Sequence, residues 1–520
     1  MSTAGTGTAG TGTAGTGTAG TADTAADAGG GETLYLEPRL EERPAALLTT
    51  GAAFLHTLVD ALGSPLNVVL PGQIAENAER FRAVFRRHRL TGRVFFAHKA
   101  NRSSALVRRL VTTDAALDAA SLGEMQHALA SGWTGDRIMT TGPKDPEFLW
   151  LALRAGAVVN VDGPGELERA AELVRAYGLP RCRVVLRLSG FETSGTTLLS
   201  RRSRFGTPAR SLKHLLDTAD RYRDAVEPIG VGYHLDTTSL DEKAAALEGC
   251  LTAMEEMRVR GFSPRAVDVG GGFGVNYLAH ADQWSRYTTA LTRAVMGERP
   301  PLTWDGHGYG LRMENGTVKG ALGLYPAHRP LAGAGYLDEL LSRPAAGLGG
   351  RPLGTLLLES LHELYVEPGR ALVDQCGITL GRVLEVRATD TGAHLVRLAM
   401  NAGDVGLEDH GVLVDPVLLP RDIGDGGGAG AGHAAVHLMG NLCLESDLIT
   451  RRTVHLPRLP RPGDLLAFPN TAGYCMDFGA THAQRQPVAR RVAVEREGES
   501  WHWCLDEQYW PITRPGGQRT

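Results

Sequence analysis

Lys99 ends an apolar run, Val94-Phe95-Phe96-Ala97-His98, and is followed by Ala100-Asn101. An amine at the end of a buried strand can add to an aldehyde to form an imine, because partial desolvation leaves it neutral often enough to attack. A solvated surface lysine has the same local sequence, so other residues must decide. Gly270-Gly271-Gly272-Phe273-Gly274 follows the apolar strand 266–269. Glycines there let backbone N–H groups gather around an oxyanion, although a tight turn after a strand has the same composition. Glu367-Pro368-Gly369-Arg370 follows Leu364-Tyr365-Val366 and sets a carboxylate and a guanidinium at another strand end. The first can keep a ring nitrogen protonated and the second can bind a phosphate dianion; an internal ion pair at a turn is the plainer alternative. Neither G-x-G-x-x-G nor G-x-x-x-x-G-K-[ST] fits the glycine run, so a nucleotide is a poor occupant.

These groups need elements to hold them. From about Asn67 to Arg370 short apolar segments alternate with amphipathic helical patterns. Strands are expected at 68–70, 94–97, 138–139, 158–161, 183–188, 230–234, 266–269 and 356–358, with helices at 74–87, 104–112, 146–154, 165–177 and near Leu212. About eight β-then-α units argue for a parallel (β/α)8 barrel, with an open doubly wound sheet as the rival. Segments 381–386, 393–400, 436–439 and 488–494 read as strands without long helices between them, which is a C-terminal β-rich domain of barrel or sandwich type. The expected organisation is a low-complexity tail over 1–32, a segment packing on the β-domain over 33–64, a barrel over 65–372 with an insertion around 276–355, and the β-domain over 373–520. The Thr/Ala/Gly repeats of the tail and the run Asp425-Gly426-Gly427-Gly428 have nothing to bury and read as a disordered tail and a surface loop.

Composition excludes several classes. Hydrophobic residues are 42% and charged residues 22%, ordinary for a soluble globular chain. With 54 basic and 58 acidic residues the formal charge is −4, so no polybasic surface for nucleic acid or membrane is expected. No apolar run reaches the ~18 residues of a membrane span, and the N-terminus lacks a basic-plus-apolar signal region. Six scattered cysteines without a C-x-x-C pair suit a reduced, cytoplasmic protein with no structural metal.

Further motifs complete the pattern: Asp118-Ala119-Ala120-Ser121-Leu122-Gly123-Glu124, Ser203-Arg204-Phe205-Gly206, Gly232-Tyr233-His234-Leu235-Asp236-Thr237, Gly440-Asn441-Leu442-Cys443-Leu444-Glu445-Ser446-Asp447 and Ala472-Gly473-Tyr474. Alone, His234 is a core histidine and Cys443 a buried thiol. In this order, over about Pro65 to Pro487, the series resembles the fold-type III pyridoxal-phosphate decarboxylases, the diaminopimelate, ornithine and arginine decarboxylase superfamily. The resemblance implies an alanine-racemase-like barrel, a β-domain and pyridoxal 5'-phosphate. Ala97-His98-Lys99-Ala100-Asn101 is similar to Y-A-x-K-A-N, which makes Lys99 the Schiff-base lysine. It places Asp118 in the cofactor pocket, His234 on the pyridine ring, Thr237 and Gly270, Gly271 and Gly272 at the phosphate. Glu367 and Arg370 of E-P-G-R fall at the ring nitrogen and the phosphate, and Tyr474 of G-A-Y at the phosphate. Cys443 matches the cysteine of G-P-x-C, implied proton donor at Cα, and Glu445, Asp447 and Asp404 are the implied substrate contacts.

The implied function is decarboxylation of an amino acid or amino-acid derivative, in a homodimer whose second chain donates the cysteine. A pyridoxal-phosphate racemase or epimerase, and a non-catalytic cofactor-binding homologue, are the alternatives; the chain keeps the cysteine motif the first would not need and the lysine and phosphate ligands the second would lose. Departures touch the substrate. Leu444 stands where diaminopimelate enzymes have glutamate after the cysteine, and Ala402 where ornithine enzymes have an aspartate, with Asp404 nearby. Ninety-seven residues separate Gly270 from Glu367, and the excess holds Trp304-Asp305-Gly306-His307-Gly308-Tyr309, which reads as a lid or as a surface excursion. A modified or carrier-bound amino acid is therefore an expected substrate class.

Overall fold

The computed structural model describes residues 33–191, 203–235, 237–406, 414–422, 433–476 and 478–511. The low-complexity tail, the glycine run after Asp425 and Asp236 lie outside the described residues.

Eight parallel strands close into a ring: Gly92–Ala97, Ala116–Ala119, Ile138–Thr140, Val158–Val161, Cys182–Ser189, Val226–Tyr233, Ala266–Asp268 and Glu363–Val366. Closure is made by Glu363–Val366, which pairs in parallel with both Gly92–Ala97 and Ala266–Asp268. One side chain from every strand fills the interior in a single buried cluster: Phe95, Ala116, Met139, Val158, Val185, Ile229, Ala266 and Tyr365. Strand side chains alternate, so the residue two places on also points inward. At that level Asp118, Thr141, Asn160, Arg187, Asp268 and Glu367 replace apolar residues, and the core becomes a polar ring at the C-terminal end of the barrel. Thr141 lies one residue past its strand end and Glu367 likewise.

Two expected barrel strands are corrected. Residues 356–358 lie in the helix Leu353–Glu359, and the last barrel strand is Glu363–Val366. A three-leucine run has no period to separate strand from helix. The segment expected as the first barrel strand, observed as Leu66–Val69, joins the other sheet instead, antiparallel to Gly377–Ala388 and parallel to Arg490–Glu497. The barrel begins at Gly92–Ala97.

The second sheet holds Leu66–Val69, Gly377–Ala388, His394–Leu398, Val417–Leu419, Ala434–Met439, Val454–Leu456, Leu465–Pro469, Arg490–Glu497 and Ser500–Leu505. The helices Glu42–Thr50 and Ala52–Leu62 bury Leu47, Leu55, Leu58 and Val59 against Leu66, Val68, Ile378, Leu380, Leu465 and Val492. Among the described residues no single helix is long and apolar enough to cross a membrane. Arg452 and Asp415, both fully buried, pair at 2.5 Å, and the other Asp415 oxygen accepts from Leu36 N–H at 2.7 Å. Residues 303–304 pair with the neighbouring Arg451-Arg452 backbone, which fastens the long excursion to this sheet.

Candidate active site

Lys99 sits in a short 3-10 turn, His98–Ala100, just past its strand. That turn is tied on three sides. Ala97 N–H donates to Pro368 O at 3.4 Å, Tyr474 N–H donates to Ala100 O at 3.0 Å, and the Asn101 amide donates to Ala472 O at 2.9 Å. The lysine, E-P-G-R and G-Y segments, far apart in sequence, thus meet through their backbones. Gly369 is required at its position: a methyl there would come within 2.6 Å of the Tyr474 hydroxyl. Tyr474 itself holds a positive φ of 63°, a strained conformation for a bulky side chain at the centre of the site.

Lys99 remains open to solvent while its protein side faces the polar ring. Burial alone would lower its pKa, but attraction by Asp118, Glu367 and Tyr474 reverses the shift and raises it, against opposition from Arg187. Desolvation, expected from the sequence to leave this amine neutral, is thus outweighed. The carboxylates hold it as an ammonium, so it must give up a proton before it can attack.

Those carboxylates are unequal. Asp118 Oδ1 accepts from the Thr141 hydroxyl at 2.6 Å, while the buried Oδ2 has no partner. Burial, aided by the charge on Glu367 and countered by Lys99, pushes its pKa up to about 7. Asp268 and Glu367 share a hydrogen bond. Burial raises Asp268 far above the carboxylate range, so the proton belongs to Asp268. Glu367 stays ionised because, against its own burial, it accepts hydrogen bonds from His234 and Asp268 and is attracted by Lys99. His234 Nδ1 stands 2.9 Å from Glu367 Oε2, and burial lowers the imidazole pKa despite that carboxylate.

The glycine run bends sharply, with φ of 63° at Gly270 and 82° at Gly272. A methyl on Gly270 would meet Tyr233 O at 2.5 Å, and one on Gly271 would meet Glu367 O at 2.8 Å. Gly270 N–H donates to Asp268 Oδ1 at 2.9 Å. Among the described residues the next three N–H groups, of Gly271, Gly272 and Phe273, have no acceptor. A methyl on Gly272 would stand 3.1 Å from Thr237 O, and Thr237 Oγ1 accepts from Ser239 N–H at 3.0 Å. Arg370 completes this corner. It donates to the Tyr277 hydroxyl at 2.7 Å and lies over the Tyr325 ring at 4.2 Å and the Tyr474 ring at 5.3 Å.

Pyridoxal 5'-phosphate fits these residues. The glycine cradle, which any Cβ would fill, offers free N–H donors to a phosphate beside the Arg370 guanidinium. The Asp118 oxygen without a partner and the ionised Glu367 offer acceptors to a protonated ring, and Lys99 supplies the amine.

Several residues that sequence reading missed stand here. Tyr277, Tyr325 and Arg329 come from the long excursion, whose backbone closes on itself through Tyr277 N–H to Ala327 O at 2.9 Å and reaches the glycine loop through Gly333 N–H to Phe273 O at 3.0 Å. Arg329 donates to the Thr238 hydroxyl at 2.9 Å, and its Cδ would lie 2.7 Å from a methyl on Gly274. Asp268 follows from the alternation rule, being two residues beyond the interior Ala266. Ser121 and Glu124 prove partly structural: Ser121 Oγ accepts Glu124 N–H at 3.2 Å, and Glu124 Oε2 accepts Ala120 N–H at 2.7 Å, which starts the helix Leu122–Ala130.

The β-domain residues form a separate group. Cys443, Leu444 and Glu445 are exposed, and Cys443 N–H donates to Gln484 Oε1 at 2.8 Å. Asp447 is buried and accepts from Ala402 N–H at 2.9 Å and Leu442 N–H at 2.8 Å. Asp404 is fully buried, bonds Asn401 N–H at 2.8 Å, and is raised by burial to about 6. Both aspartates shape backbone turns in this chain. No hydrogen bond or ion pair among the described residues links Cys443 to Lys99. A cavity of about 850 Å³ opens beside Lys99 and runs between the domains past Glu124, His127, Phe478, Arg490 and Glu507.

Comparison with known proteins agrees with this chemistry. Residues 71–316 match the family model of the pyridoxal-dependent decarboxylase, pyridoxal binding domain. The chain is 30% identical over 472 residues to the uncharacterised protein y4yA of Sinorhizobium fredii, covering 89% of this chain and 95% of that one. It is 30% identical over 278 residues to a diaminopimelate decarboxylase of Deinococcus radiodurans, covering 47% of this chain and 68% of that enzyme. Its fold resembles the crystal structure of diaminopimelate decarboxylase from M. jannaschi, with a TM-score of 0.65 at 19% identity over 86% of this chain and 90% of that one.

Proposed function

We propose, for a chain that belongs to the fold-type III pyridoxal-dependent decarboxylases, that it removes the α-carboxylate of an amino acid or amino-acid derivative at Lys99 and returns a proton to Cα from Cys443. The observation that carries the reading is one grouping: an amine attracted by Asp118 and Glu367, and a glycine cradle with three N–H donors that have no acceptor among the described residues.

When bound, pyridoxal 5'-phosphate supplies the electron sink for the charge left at Cα as the carboxylate departs. Glu367, kept ionised in a dry site, would hold a proton on the ring nitrogen of the bound group and so make that sink effective. His234 is fixed by Glu367 with its ring against Gly270 and Gly271, where it would pack on one face of a planar group. Asp118, raised to about 7, attracts the Lys99 ammonium through space and leaves its Oδ2 free to accept from the bound group. With the group bound, the bond to Cα held perpendicular to its ring would be the one to break, so the residues that grip the substrate would set the outcome.

Cys443 is exposed and on another domain, which suits a residue presented to a second chain in a head-to-tail homodimer. Glu445, exposed one residue beyond Leu444, is the substrate contact favoured by accessibility; Asp447 and Asp404 hold the loop that presents it. The size of the cavity beside Lys99 admits a substrate larger than a free diamino acid, including a carrier-bound one. Carbon dioxide release from diaminopimelate, other free amino acids and carrier-linked amino acids tests the proposal. Equimolar carbon dioxide and amine support it; inversion at Cα with no carbon dioxide would replace it by a racemase.

A further inference from the structure

Lys243 is completely buried at the start of the helix Leu240–Val259. Among the described residues it forms no ion pair. Its ammonium donates to Gly271 O and otherwise faces the rings of Phe273 at 5.1 Å and Tyr336 at 5.5 Å. A methyl on Gly272 would come within 3.0 Å of Nζ, so the amine lies directly against the glycine cradle. The first turn of a helix carries partial positive charge, which makes this an unfavourable place for a cation. Buried charges are otherwise paired, and this one has a carbonyl and two π faces but, among the described residues, no carboxylate bonded to it. Burial pulls the amine down to about 8, with the charge on Glu367 holding it up from a distance.

Peptide geometry says what the contact does. In a trans peptide C=O and N–H point in opposite directions. The Gly271 carbonyl is turned to Lys243, so the N–H of the same peptide unit, on Gly272, is turned away from it. That N–H is one of the three without an acceptor. Donation to the carbonyl also polarises the peptide and strengthens its N–H as a donor.

We infer that Lys243 is a positioning residue for the cofactor's phosphate: it fixes the Gly271–Gly272 peptide with its N–H presented to the anion and supplies a positive charge in addition to that of Arg370. A phosphate monoester carries close to two negative charges at neutral pH, which Arg370 and Lys243 together balance. The lysine does not touch the phosphate. It acts through the peptide and through its field. The inference rests on the cofactor reading above.

Cofactor-free wild type, Lys243→Met and Lys243→Gln are titrated with pyridoxal 5'-phosphate and with pyridoxal, which lacks the phosphate. The expected result for Lys243→Met is a loss of about 10- to 100-fold in affinity for the phosphate form with pyridoxal unchanged. Lys243→Gln, which keeps a donor to Gly271 O without the charge, should fall between. A folded Lys243→Met protein with the wild-type preference for the phosphate form overturns the inference. If that variant does not fold, the wild type decides: inorganic phosphate must raise the melting temperature of the cofactor-free protein above that in chloride of equal ionic strength, and no rise overturns it. Wild type that binds neither aldehyde removes the cofactor reading itself, and this inference with it.

Discussion

The Nδ1 atom of His234 lies 2.9 Å from the Glu367 carboxylate, although the two residues are 133 positions apart in the chain. One strand end brings the imidazole and another the carboxylate, and the bond does two things at once. It fixes the ring plane against Gly270 and Gly271, and it helps keep Glu367 ionised in a site dry enough to protonate its neighbour Asp268.

Glu367→Gln should therefore still bind cofactor but lose turnover by about 10²- to 10³-fold, the scale of removing one preorganised electrostatic contact. Cofactor affinity and kcat are measured on the same preparation. A variant with normal kcat would show that the charge on Glu367 has no part in the reaction.

The polar ring gives a pH signature without any substrate. Asp118 has a folded-state pKa near 7, above the ~4 of an unfolded aspartate, so between those values the folded protein binds more protons. The contribution of Asp118 to the stability of the cofactor-free protein should fall as pH rises from about 4 to 7, by on the order of 1–3 kcal/mol. Denaturation of the wild type and of Asp118→Asn at a series of pH values checks it: the difference in stability between them should shrink or reverse as pH rises over that window. A difference that stays constant would place the titration elsewhere.

How much of this is legible in the sequence depends on which residues signal in short strings. Lys99, Glu367, Arg370 and the glycine triplet sit in motifs whose neighbours are constrained by backbone contacts, such as Gly369 beneath the Tyr474 hydroxyl, so their spacing carries information. Lys243 follows Asp241 and Glu242 and reads as one more charge on a solvated helix face; only the packing of Phe273 and Tyr336 over it shows otherwise. Arg329 and Tyr325 lie in an excursion without periodicity. Leu66–Val69 has the apolar character of a barrel strand because it is buried on both faces, yet its partners are Gly377–Ala388 and Arg490–Glu497, more than 300 residues away. Local pattern finds a strand and does not choose its sheet. The charge state of Lys99 is hidden from the sequence for a similar reason, since Asp118 and Glu367 reach it only in the closed barrel.

Cys443 is the exposed cysteine of the described chain, with Cys182, Cys250, Cys376 and Cys475 buried. Alkylation should modify it first, and Cys443→Ala should keep cofactor affinity while turnover drops about 10²-fold or more, as for loss of a general acid. Kinetics together with deuterium incorporation at Cα of the product report the step. Wild-type turnover with normal deuterium placement would remove the cysteine from the reaction.

A shared site makes a sharper demand. Lys99→Ala and Cys443→Ala proteins, each inactive, should recover activity when mixed and allowed to exchange subunits. Random pairing rebuilds one intact site in half of the dimers, about a quarter of wild-type activity. No recovery, or an active monomer on sedimentation, would put both residues of a site in one chain.

Three buried or ringed amines compete for one aldehyde: Lys99, raised by its carboxylates, and Lys144 and Lys243, both lowered by burial. Ease of deprotonation favours the last two, whereas geometry favours the first. Reduction of the cofactor-loaded protein with borohydride, followed by peptide mapping, separates them most directly. The phosphopyridoxyl mass should appear on the peptide containing Lys99 and on no other. A label on Lys243 or Lys144, or none at all in protein saturated with cofactor, would contradict the assignment on which the proposed chemistry stands.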